Sequence, residues 1–177
     1  MDFTAIPALE NKRIKYTAAK ALSFIALRPR RNNYMQTDTV KLLIECNSGI
    51  KMGKSAIEKV MPHVEDSNMR HYLEVAKNTH AALGDETHEL LLKNQADTKD
   101  PHKIAKLMSD VKICTKLAMK ENDKTAADLI TDGCDMGIKS ISRYLNQYKA
   151  ADQSAKSIAR RIIASEEYLE SKLRDYL

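Results

Sequence analysis

A chain of 177 residues, 43% apolar and 30% charged, is long enough for one domain with a sizeable buried core. Its 5 glycines and 4 prolines, the absence of tryptophan and an aromatic content of 5% exclude the make-up of a β-sandwich or barrel. No apolar run reaches the roughly 18 residues of a membrane span, and 3 widely spaced cysteines without a C-x-x-C pair suit a reduced, cytoplasmic setting.

The net charge of +5 is unevenly placed. Residues 1–34 hold seven basic residues against Asp2 and Glu10 and so carry all of it, leaving residues 35–177 balanced. A balanced body offers no basic face for specific nucleic-acid binding. The first segment also holds both phenylalanines, Phe3 and Phe24, and closes on "RPRRNN". We read residues 1–34 as a basic, mobile N-terminal appendage in which "IKYTAAKALSFIAL" can form a short amphipathic helix, with Met35 as a candidate natural start.

Residues 35–177 carry helical periodicity throughout. A first helix is expected from a cap at Thr37 or Asp38, with its apolar seam through Leu43, Cys46, Ile50, Gly53, Ile57 and Val60 and a stop at Pro62. A second begins near Asp66 or Ser67, with its seam through Met69, Leu73, Ala76, His80, Leu83, Thr87 and Leu90. "NQADTKDPHK" breaks the pattern, and Asp100 before Pro101 predicts a short extra helix in the crossover, running to Leu117. "KENDKT" interrupts again. A third long seam follows through Ala127, Ile130, Cys134, Ile138, Ile141, Leu145 and Tyr148. After "AADQS" comes a fourth through Ala155, Ile158, Ile162, Ser165, Leu169, Leu173 and Tyr176. Alternating spacings of three and four predict an all-α, left-handed bundle of two helix hairpins.

"SGIKMGKS", Ser48 to Ser55, nearly matches the phosphate-loop signature, but Ser48 stands where the first glycine should be. A phosphate loop also needs a strand before it and free backbone N–H groups at a helix start. "DTVKLLIEC" is already in helical register, so Gly49 and Gly53 are expected in mid-helix, without ATP binding. "CNSGIK" (Cys46–Lys51) returns as "CDMGIK" (Cys134–Lys139), each in the first helix of a hairpin, as an internal repeat would place it. With "ECNSGIKMGKSAIE" and "DGCDMGIKSISRYL" as paired small-residue motifs, residues 38–176 resemble a bacterial ferritin-like family of unknown function. The resemblance implies an antiparallel four-helix bundle made of two related hairpins.

Di-metal sites of that fold use an inward Glu on two helices and Glu-x-x-His on the other two. This chain has no Glu-x-x-His. Ile50 and Ile138 are expected at the buried centre where carboxylates would stand, while Glu45 and Glu58 fall off the seam toward solvent. Asp85-x-x-His88 also points away from its seam. His80 alone lies on a seam, with Glu166 as a possible neighbour. It reads as a core histidine bonded to a carboxylate or a backbone carbonyl rather than as a ligand. The expectation is therefore a non-catalytic binding or assembly protein, possible as a homo-oligomer, with no cofactor favoured. One rival binds iron or manganese through His80 and Glu166; the other uses residues 1–34 on a membrane or nucleic acid.

Overall fold

The computed structural model describes residues 33–96 and 122–177, and every regular element among them is helical. Among the described residues there are four long helices: α1 (Asn33–Val60), α2 (Ser67–Lys93), α3 (Asp123–Gln147) and α4 (Gln153–Leu173). Short 3-10 turns, Met61–His63 and Arg174–Tyr176, follow α1 and α4. None of these helices is long and apolar enough to cross a membrane. The expected appendage and the expected short helix around Pro101 lie outside the described residues.

Five of the helix boundaries have a local cause. Pro62 turns the end of α1 into a 3-10 turn, because it cannot extend the hydrogen-bond ladder. Asp66 caps α2 by accepting from Met69 N–H at 2.8 Å. Asn122 and Asp152 do the same for α3 and α4, accepting from Thr125 and Ala155 N–H, both at 2.8 Å. At the end of α2, Ala96 N–H reaches Leu91 O and Gln95 N–H reaches Leu92 O, with Gln95 in the left-handed region at φ 56°.

The start of α1 differs from expectation. The helix begins at Asn33, so neither Thr37 nor Asp38 is its cap; no proline or glycine stops it earlier. Asp38 and its neighbour Thr39 instead reach the loop before α4, accepting from Ala150 N–H at 3.0 Å and Asp152 N–H at 2.9 Å. Elsewhere, Asp123 accepts from the N–H groups of Glu65 and Asp66 at 2.7 and 3.0 Å, and Tyr176 O–H donates to Asp66 at 2.7 Å. That bond is the first cause of a Tyr176 phenol pushed up to about 12.

Buried side chains gather in two apolar clusters, and all four helices contribute to both. One holds Ile57 of α1, Leu73 of α2, Ile130 of α3 and Leu169 of α4. The other holds Ile50 of α1, Leu83 of α2, Ile141 of α3 and Ile158 of α4.

Candidate functional site

On every helix the boundary between the clusters falls on a residue that is not a large hydrocarbon. Gly53 lies between Ile50 and Ile57, and His80 between Ala76 and Leu83. Gly137 lies between Cys134 and Ile141, and Glu166 between Ile162 and Leu169. These four residues come together. His80 Nε2 stands 2.9 Å from Glu166 Oε1, and a Cβ on Gly53 would lie 2.7 Å from that same Nε2. A Cβ on Gly137 would lie 3.6 Å from Glu166 Oε1.

The pair is deeply placed, with His80 only 1% and Glu166 only 7% exposed, so its polar atoms must be satisfied inside the protein. His80 Nδ1–H donates to the Ala76 carbonyl at 2.9 Å. That bond fixes the ring, leaving Nε2 to face the carboxylate. The Cys134 thiol lies beside Glu166.

Burial by itself would lower the His80 pKa and raise that of Glu166. The bond and charge each offers the other outweigh burial, so His80 is held above its ordinary value and Glu166 below. Each group thus favours the charged form of the other. Cys134 is raised by burial first and the Glu166 charge second, and burial pushes Cys46 up to about 12. Burial thus favours the neutral thiol at both positions.

Beside this pair lies a cavity of about 320 Å³. Gly49 and Gly53 of α1 and Gly133 and Gly137 of α3 form its walls, Glu166 with Ile162 and Leu169 its floor. Met52 and Met136 stand on the same lining, Met136 being 63% exposed. At one end Glu45 faces Tyr144, which stacks on Tyr148 with ring centroids 6.0 Å apart. Burial, followed by the Glu45 charge, pushes the Tyr144 phenol up.

Several expected positions change. Ile50 is 3% exposed, but Ile138 is only half-buried; the centre of α3 is Gly137, where a Cβ would make ordinary contact with Glu166. Glu166, not Ser165, is the inward residue of α4, and Leu91, not Leu90, ends the buried stripe of α2. Glu45 is half-buried in the cavity lining rather than turned to solvent, while Glu58, Asp85 and His88 are exposed as their spacing implied. Gly49 and Gly53 sit inside α1 without a positive φ, so "SGIKMGKS" has no free N–H groups for a phosphate.

The cavity itself is not among the expectations drawn from the sequence. Its signal is Gly-x-x-x-Gly spacing in both α1 and α3, which puts two glycines on one face of each helix. A second pattern emerges from burial. Met69, Leu73, Ala76, His80, Leu83 and Thr87 follow the same 4-3-4-3-4 spacing as Ala155, Ala159, Ile162, Glu166, Leu169 and Leu173. His80 and Glu166 hold the same place in the two series.

Comparison with known proteins returns no match, whether to a family model, a curated protein or a solved structure.

Proposed function

We propose that this chain is a ferritin-like antiparallel bundle in which a histidine–carboxylate pair occupies the place of a di-metal centre. It works by binding or assembly rather than by catalysis. The observation that carries this reading is the pair itself. His80 and Glu166 stand at matching positions of α2 and α4, buried, and each is the other's hydrogen-bond partner.

The order of contacts supports the antiparallel arrangement. Asp38 and Thr39 meet Ala150 and Asp152, Gly53 meets His80 and Glu166, and Asp66 meets Asp123 and Tyr176. Along this series α1 and α4 run one way, and α2 and α3 the other. The end of α2 and the start of α3 therefore lie at opposite ends of this series, as do the two helices on either side of the long crossover in ferritin-like folds. The repeated Cys-x-x-Gly-Ile-Lys is consistent with two related hairpins.

The residues present fit a metal centre poorly. Among the described residues no group of three or more His, Cys, Asp or Glu side chains is arranged to hold a metal. His80 spends both nitrogens, one on Ala76 and one on Glu166. The test is the iron and manganese content of protein expressed in metal-supplemented medium and passed through gel filtration. The expected result is far less than one metal per chain. Stoichiometric metal that disappears on His80→Ala would overturn the reading.

A further inference from the structure

The cavity between α1 and α3 is not explained by the packing of the helices alone. Four of the chain's 5 glycines line it, yet only Gly53 is required by its neighbours. A Cβ on Gly133 would meet nothing within 4 Å, and on Gly49 or Gly137 it would meet ordinary contacts at 3.7 and 3.6 Å. Alanine is the better helix residue at all three. Bare backbone in mid-helix therefore keeps volume open without serving the interior of this chain.

The volume and chemistry of that space constrain an occupant. About 320 Å³ is roughly twice the ~150 Å³ apolar cavity that admits benzene, so it suits about a dozen heavy atoms. Between Glu45 and Ile57 the α1 wall runs about 18 Å at 1.5 Å per residue, so the space is long rather than round. Its walls are apolar apart from a few groups, and the one at the centre of the floor is Glu166.

A carboxylate offers about four acceptor positions. Among the described residues Glu166 Oε1 bonds His80 Nε2, which leaves acceptor capacity on that oxygen, the one that faces Gly53 and Gly137. An anionic head would be repelled by Glu166 and by Glu45 at the end of the cavity. A cationic head would compete with His80 for the same oxygen.

We propose that the cavity binds a slender, uncharged apolar molecule of about a dozen heavy atoms through one hydroxyl that donates to Glu166, as a medium-chain alcohol would. This rests on the reading of the chain as a binding protein and names the class of its ligand.

The test is titration of the full chain with octan-1-ol, octanoate and octylamine, followed by calorimetry and by methyl resonances of Met52 and Met136. Saturable octan-1-ol binding is expected, at least tenfold tighter than octanoate or octylamine. It should weaken about tenfold in Glu166→Gln and vanish in Gly133→Leu, whose side chain has open space to enter and so keeps the fold. Gly137→Leu serves as the second blocking variant, with circular dichroism checking that each is folded. Saturable octan-1-ol binding that Gly133→Leu and Gly137→Leu leave unchanged would overturn the site. Tighter octanoate or octylamine would overturn the ligand class while leaving a binding protein. Failure of all three probes to bind metal-free protein would overturn this proposal alone; stoichiometric metal would overturn the reading beneath it.

Discussion

Replacing Gly53 by alanine sets two effects of opposite sign against each other. In a helix interior alanine is favoured over glycine by about 1 kcal/mol. Here the added Cβ would stand 2.7 Å from His80 Nε2, 3.0 Å from its Cδ2 and 3.5 Å from Glu166 Oε1. The ring cannot swing aside freely, because Ala76 O holds one nitrogen and Glu166 the other. Making room costs at least one bond to a charged group, about 1.5–3 kcal/mol, and up to about 3–5 kcal/mol if the buried pair separates.

The clash should win, leaving Gly53→Ala less stable by about 1–3 kcal/mol after the helix gain. Gly133→Ala is the matched control. Its Cβ meets nothing within 4 Å, so it should gain the full ~1 kcal/mol. Urea unfolding of both variants supplies the comparison, and His80→Ala combined with Gly53→Ala should recover part of the loss by removing the ring that is struck. A Gly53→Ala protein as stable as Gly133→Ala would refute the placement of His80 against α1.

Two further outcomes follow from the same centre. His80, raised, contributes stability in full below its ordinary 6.5 and loses it as pH climbs through its higher folded value; Glu166, lowered, contributes in full above 4.5 and loses it as pH falls through its lower one. The stability difference between wild type and His80→Gln/Glu166→Gln should therefore be greatest between 4.5 and 6.5 and shrink on either side, as unfolding titrations across pH would record. Ile50→Ala should cost about 2–5 kcal/mol and the half-buried Ile138→Ala clearly less, measured by the same unfolding curves.

Much of the helical layout is readable from periodicity, because each helix buries one stripe and local spacing reports which. On α2 the expected seam coincides with the buried one from Met69 to Thr87. It slips only at the last turn, where Leu90 and Leu91 both fit a spacing of three or four. The caps Asp66 and Asn122 stand where turn-forming polar residues precede an apolar pattern. Asp38 and Thr39 are legible as cap-type residues, but what they satisfy is backbone 112 and 113 residues away, which local sequence does not encode.

The site is where local reading gives way. Hydrophobicity ranks Ser165 ahead of Glu166 for a buried place, because an isolated carboxylate is costly to bury. The preference reverses only through a partner 86 residues distant on another helix. The same long-range fact decides Gly53. Its lack of a side chain has a steric cause: His80 occupies the space a Cβ would need. Gly133 and Gly137 have no such internal claimant, and that asymmetry between otherwise similar glycines separates a residue the core requires from residues that keep the cavity open.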